Sequence, residues 1–313
     1  MIRGILRPSS RALRTGAWAL VATGVAAPLL RKRLRIPPPA VTASAVAAPI
    51  AMCVAVRRSP ARDVATVLLQ MWGYIAHYEM PNDDPEALAR RVRIDYPVRI
   101  DRAIGLGTLP GLRLQRAFSR PGRISRFDEV LVWAHWLWFF FPHGTAVYLL
   151  VRRREDFGRG AALIYAVFDT GVGFYWLIPT APPWYAAQQR RCDPDLRRMM
   201  VEHGQAFWKD RWGPMYGFLG GNPLAAMPSL HFATSVMAAR VLRDAGPGQG
   251  AFGWAYAATL GYALVHLGEH YVTDLIAGFA LAEGVRRAAP RVEPYARRFS
   301  RLVQRLEARA HAS

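Results

Sequence analysis

Cysteine and acidic residues are scarce in this chain, and each scarcity removes a class of explanation. Two cysteines in 313 residues, Cys53 and Cys192, give neither a disulfide framework nor the spacing of metal ligands. The 22 Asp and Glu are outnumbered by 41 Lys and Arg, which leaves a net charge of +19. No internal repeat is present, and none of the apolar runs alternates with period two, so sheet is not expected. What the chain has in quantity is apolar sequence. Fully 52% of its residues are hydrophobic, gathered into runs separated by arginine-rich connectors. A soluble domain mixes the two kinds of residue, whereas segregation on this scale marks membrane spans. The arginines flank the apolar runs and build no basic face on a soluble domain. Their charge therefore suits anionic lipid headgroups, and nucleic acid is not an expected partner.

Seven apolar runs are present, over residues 15–30, 38–56, 130–151, 161–178, 229–242, 251–267 and 272–285. Several fall slightly short of the roughly 20 residues a crossing needs. The expected fold is all-α: a polytopic membrane bundle of about six transmembrane helices. Pro142 lies inside the third run and is expected to kink it. Gly246-Pro247-Gly248 reads as a turn between two spans. Four segments follow: a basic N-terminal part with the first span or spans (1–57), a basic, partly interfacial connector (58–127), a membrane core (128–286) and a basic amphipathic tail (287–313).

Arg3, Arg7, Arg11 and Arg14 precede the first run, and Arg31-Lys32-Arg33 follows it where a signal peptide needs small residues. An uncleaved anchor or an interfacial helix is expected there. In the connector, residues 64–78 should form an amphipathic helix on the membrane. The remainder, punctuated by Pro81, Pro85, Pro97, Pro110 and Pro121, should be irregular. In the tail, Tyr295, Phe299, Leu302, Val303 and Leu306 recur at the spacing of an interfacial helix.

Two short motifs carry chemistry, Pro228-Ser229-Leu230-His231 and His270-Tyr271-Val272-Thr273-Asp274. Their histidines are 39 positions apart. At the rise of an α-helix that is roughly 58 Å, or about two crossings of a hydrocarbon core. One helix leaves from His231, turns at Gly246, and another returns, so both histidines lie on the same membrane face. Asp274, four residues after His270, shares its face of a helix. There it holds one ring nitrogen as N–H and leaves the other as a nucleophile. His270 is then able to attack phosphorus, and His231 to protonate the departing oxygen as general acid. Ser229 opens a helix after Pro228, where free backbone N–H groups favour an anion. Asn222, in the flexible loop Gly220-Gly221-Asn222-Pro223, is placed to help bring backbone to a phosphate. An ionisable cluster at the edge of a span is costly, which favours function over incidental packing.

Other residues read more plainly. Asp169, roughly 15 Å down a helix from Pro179, should face the bundle interior and find a structural partner. His135, on the side of the site, is placed to line its pocket or, the favoured reading, to pack with a hydrogen bond, and His266 to sit one turn behind His270. Trp133, Trp136, Trp138, Trp176 and Trp184 read as an interfacial belt, with Trp184 and Tyr185 on the face of the site.

Together these motifs resemble the type 2 phosphatidic acid phosphatase superfamily, and specifically its inositol phosphorylceramide synthase-like branch. Pro179-Thr180-Ala181-Pro182-Pro183-Trp184-Tyr185, Gly221-Asn222-Pro223 ahead of PSLH, and His270-Tyr271 carry the likeness to the branch, which covers about residues 128–286. It implies a six-helix fold with a His–His–Asp site in which His231 is the acid, His270 the nucleophile and Asp274 its orienting partner. Two features depart from the lipid phosphatases of the superfamily. The Lys-x6-Arg-Pro phosphate clamp is absent, and Leu264 stands where a second phosphate-binding arginine lies. Lys209 and Arg211, ahead of PSLH, are the cations expected to hold phosphate instead.

The expected function is an integral membrane phosphotransferase that works through phosphohistidine on a phospholipid or polyprenyl phosphate. Transfer of inositol phosphate from phosphatidylinositol is one form. A phosphatase with the same triad is the alternative, and a non-catalytic transporter or scaffold is the reading from another class. No metal and no cofactor are expected, since the histidines supply nucleophile and acid. Arg152-Arg153-Arg154, Arg159, Arg243 and the tail lie opposite the site, and short basic loops belong in the cytoplasm. The site is therefore expected on the extracytoplasmic face of the cell membrane, although the long, arginine-rich connector runs against that assignment.

Overall fold

The computed structural model describes residues 9–120, 122–219 and 221–312. Fifteen α-helices are present among them and no strand is, which agrees with the expected all-α class. In chain order they are α1 (Ser10–Leu34), α2 (Pro38–Ala55), α3 (Pro60–Glu79), α4 (Pro85–Arg91), α5 (Asp95–Ile104), α6 (Pro110–Phe118), α7 (Arg126–Trp136) and α8 (Phe141–Arg152), followed by α9 (Arg154–Leu177), α10 (Pro183–Gln188), α11 (Met199–Trp208), α12 (Trp212–Leu219), α13 (Leu230–Ala245), α14 (Pro247–His266) and α15 (Val272–Ala310). Three of them, α1, α2 and α9, are long and apolar enough to cross a membrane. At 16 residues α13 is shorter than a crossing, and the run at 130–151 is divided between α7 and α8.

The chain forms two compact units, one comprising residues up to Asp83 with those from Ala289 onward, the other Asp84–Ala288. In the first, Ser9 caps α1 by accepting from the Ala12 N–H at 3.2 Å, and Ser59 caps α3 in the same way at 3.1 Å. Val21 of α1 and Ala51, Met52 and Ala55 of α2 form a core, against which Val303 and Leu306 of α15 pack. Buried Arg62 pairs with Glu307 at 2.9 Å. The expected tail stripe is therefore divided: Val303 and Leu306 face this core, whereas Tyr295, Phe299 and Leu302 are exposed.

In the second unit, the part of the connector expected to be irregular is helical. Pro85 and Pro110 sit in the first turns of α4 and α6, where a missing N–H costs nothing and a fixed φ helps. Pro142 acts in the same way. It lies in the first turn of α8, and the chain breaks just before it at the 3-10 turn Leu137–Phe139, so one expected kinked helix is two helices. The hairpin expected at Gly246 is present, with α13 and α14 packed along one another, α9 and α8 against α13, and α7 and α6 against α14. Thr180 ties together the segments that lead into the site. Its N–H donates to the Leu224 carbonyl at 3.1 Å, and its carbonyl accepts from Ala226 at 3.0 Å. The peptides on either side of it bond the backbone of Arg93.

Candidate active site

Two helix starts meet at the site. Ser229 caps α13, accepting from the Phe232 N–H at 3.3 Å, and its own N–H donates to the Asp274 carbonyl at 3.0 Å. Gly278 permits this approach, because a Cβ there would lie 2.6 Å from the Ser229 carbonyl oxygen. The first N–H groups of α15 have no partner within the helix. A carboxylate from far away in sequence takes them. Buried Asp101, in the last turn of α5, accepts from Val272 N–H at 2.8 Å, from Thr273 N–H at 2.9 Å and from the Thr273 hydroxyl. Burial raises the Asp101 pKa above its ordinary value against the pull of these donors, and the nearby Asp274 charge adds to the rise.

Asp274 lies in the first turn of α15 with no exposed surface. One of its oxygens accepts from the Tyr271 N–H at 2.9 Å and stands 3.1 Å from Nδ1 of His270. The sequence reading had both residues stacked along one helix face. His270 instead precedes α15, and the pairing arises because the carboxylate folds back over the helix start, half of a capping box. The remaining ring nitrogen of His270, Nε2, is 3.3 Å from Nδ1 of His231. With Asp274 ionised, the first contact needs a proton on Nδ1, which leaves the Nε2 lone pair directed at His231.

His231 is the second residue of α13 and is half-buried between aromatic rings. Trp138 lies 4.2 Å from it and His135 5.0 Å, centroid to centroid. Trp138 is fixed by its indole N–H, which donates to the Thr234 hydroxyl at 2.9 Å. His135 is buried, and its Nδ1 has no hydrogen-bond partner among the described residues. This differs from the hydrogen-bonded packing role expected of it.

Beside the histidines lies a group that the sequence reading missed. Arg198, which immediately precedes α11, forms a two-point ion pair with Glu269, the residue before His270. Its Nε is 3.0 Å from one carboxylate oxygen and its Nη2 3.2 Å from the other. Nη2 also donates to the Tyr216 hydroxyl at 2.6 Å, and the guanidinium carbon stacks 3.9 Å above the Trp184 ring. Burial opposes the Arg198 charge, but the Glu269 carboxylate and the Tyr216 hydroxyl together outweigh it, so the guanidinium pKa lies above its ordinary value. Arg198 and Glu269 are 71 positions apart and no spacing rule links them; only the doubled arginine 197–198 ahead of a helix offered a signal.

Of the residues singled out in the sequence, the structure brings together His231, His270, Asp274 and Ser229. Asn222 is buried ahead of α13, where its side-chain oxygen accepts from Leu224 N–H at 3.1 Å. Gly220 beside it lies outside the described residues. Lys209 and Arg211 are exposed on a 3-10 turn, with no hydrogen bond or ion pair to the histidines or Asp274 among the described residues. Asp169, expected to face inward, is on the exposed side of α9. His266 belongs to a separate buried cluster, with Nε2 2.8 Å from Asp128 and 3.1 Å from Ser119. Trp138 and Trp184 are site residues in geometry, whatever their suitability for an interfacial belt.

An apolar helical architecture and a carboxylate–histidine–histidine chain at the junction of two helix starts define a class, the membrane enzymes that cleave or transfer lipid phosphates. A family model described as the PAP2 superfamily matches residues 98–285, more than half of the chain, and the chain belongs to that superfamily. No curated protein and no solved structure matches it.

Proposed function

We propose that the protein is an integral membrane phosphotransferase that carries a phosphate-linked group from a lipid to a hydroxyl acceptor through a phosphohistidine at His270. One observation carries the proposal: the unbroken contact chain from Asp274 to His270 to His231, at 3.1 and 3.3 Å. In the first step the Nε2 lone pair of His270 forms a bond to phosphorus. The bond from phosphorus to the departing lipid oxygen breaks, and that oxygen takes a proton from His231. In the second step the now neutral His231 takes the proton of the acceptor hydroxyl. The acceptor oxygen bonds to phosphorus as the N–P bond breaks, and His270 is regenerated. Asp274 holds the proton on Nδ1 throughout and offsets the charge that the ring gains.

A reacting phosphorus stands about 3–3.5 Å from its nucleophile, with the acid a further hydrogen bond beyond the leaving oxygen. The His231–His270 contact leaves no room for that arrangement, so the ester must part the two rings on entering. The site opens to the extracytoplasmic side, as the basic connectors opposite it favour. Inositol phosphate from phosphatidylinositol is the donor group that the PTAPPWY and HY motifs favour, and water in place of the acceptor gives a phosphatase of the same site.

The test is incubation of the purified protein with phosphatidylinositol and with a polyprenyl phosphate, each labelled at phosphorus, with and without a lipid alcohol. Label transferred to the alcohol and lost in His270→Ala is the expected result. Release of label only as inositol phosphate or free phosphate would refute transfer and leave hydrolysis. Activity that survives His270→Ala would remove the enzyme reading of this site altogether.

A further inference from the structure

The contact chain supplies a nucleophile and an acid but no cation to hold the phosphate, and Leu264 is fully buried in an apolar cluster. We propose that Arg198 is the phosphate-binding residue, and that its pairing with Glu269 makes the site selective for a singly charged phosphodiester over a doubly charged phosphomonoester. The inference rests on the proposed phosphotransfer at His270.

The guanidinium is built into place. Glu269 and Tyr216 occupy Nε and Nη2, Trp184 closes one face, and the side chain retains 19% of its surface. Nη1 makes no hydrogen bond among the described residues, so one N–H edge of a rigid, oriented donor remains for an anion. Glu269 precedes His270 directly, which places this donor at the loop that presents the nucleophile. A merely structural ion pair would not need the additional stack and hydroxyl, and it would leave the reacting phosphate without a counter-charge in a partly desolvated site.

Charge then sets the substrate class. Glu269 already neutralises Arg198, with only 10% of its own side chain exposed. Among the described residues, no other lysine or arginine shares a hydrogen bond, ion pair or ring contact with Glu269, Trp184, His135, His231 or His270. A phosphodiester brings one negative charge, and it shares the guanidinium with Glu269. A phosphomonoester brings a second charge, which meets no further cation and faces the Glu269 carboxylate. Selectivity arises from what the site repels as much as from what it holds.

The experiment uses the full-length protein in lipid nanodiscs that contain a lipid alcohol as acceptor, with phosphatidylinositol as diester and phosphatidic acid as monoester. Wild type should turn over the diester in preference. Arg198→Lys keeps the charge but loses the planar fork. It should lower kcat/KM for the diester by about 100-fold, partly through KM, with the melting temperature close to that of wild type. Glu269→Gln should shift the diester-to-monoester ratio toward the monoester by about tenfold. Full activity in a folded Arg198→Lys protein, or an unchanged ratio in Glu269→Gln, overturns the inference. Activity that requires His270 but is indifferent to Arg198 leaves the proposed function standing and removes only this inference. Wild type inert toward both esters and toward a polyprenyl phosphate removes both.

Discussion

Replacing Asp101 with alanine should damage a site that the residue never touches. Asp101 accepts two backbone N–H groups and a hydroxyl at the start of α15, and Asp274 lies one residue beyond the last of these donors. Its loss leaves the half-buried Val272 and Thr273 N–H groups unpaired, at up to about 1–3 kcal/mol each. Water entering the vacated space recovers part of that, so the net loss is about 2–4 kcal/mol, at or above the roughly 2 kcal/mol ceiling for a single removed helix cap. For a unit of this size the melting temperature should fall by roughly 5–15 °C. Asp101→Asn keeps an acceptor for Thr273 but sets an amide N–H against the Val272 N–H, so it should recover only part of the loss. The larger effect is on geometry. The first turn of α15 fixes the carboxylate that orients His270, and a displacement of about 1 Å at a reacting group costs about 100-fold in rate. Thermal unfolding in detergent and turnover of the wild-type ester substrate measure the two effects separately. An Asp101→Ala protein with unchanged melting temperature and unchanged rate would refute the positioning argument.

Three further outcomes follow from the same geometry. His231→Gln should lose about 100-fold or more on an alkyl ester but far less on a nitrophenyl ester, whose leaving oxygen needs no proton; equal losses on both would deny His231 the role of acid. Asp274→Asn should abolish nearly all turnover with little loss of folding, because an amide favours the wrong ring tautomer and the comparable change in a Ser–His–Asp triad costs about 10⁴-fold. Gly278→Ala puts a Cβ 2.6 Å from the Ser229 carbonyl oxygen, whereas the same change at Gly284 meets nothing within 4 Å. The first should cost about 1–3 kcal/mol and separate the two helix starts, and the second should leave stability and rate intact. Similar melting temperatures for the two would contradict the close packing of α13 and α15.

Local signals made part of this architecture legible from sequence. PSLH and HYVTD, 39 residues apart with a Gly-Pro-Gly turn between them, require a helical hairpin, and the hairpin brings His231 to His270. Pro142 was misread because a proline tolerated in a helix's first turn and one that bends a helix look alike in sequence. The run of short helices after Asp84 was hidden by the same residue type, since Pro85 and Pro110 begin helices there. The residues that complete the site share another difficulty. Asp101 meets Val272 across 171 positions, Arg198 meets Glu269 across 71, and Trp138 reaches Thr234 across 96. Each is an isolated side chain whose partner is set by packing, and no periodicity records such a contact. Lys209 and Arg211 were singled out because they precede the motif along the chain, whereas Arg198 meets Glu269, the residue before His270, only through packing.

The central claim is a covalent one, that His270 takes the phosphate group. Protein mixed with lipid ester labelled at phosphorus, quenched in alkali within one turnover, digested and sequenced by mass spectrometry tests it directly. Label should appear on the peptide that contains His270, resist alkali, disappear on brief acid treatment and be absent from His270→Asn. Label on another residue, or single-turnover product formed with no labelled protein at any time, would contradict the account.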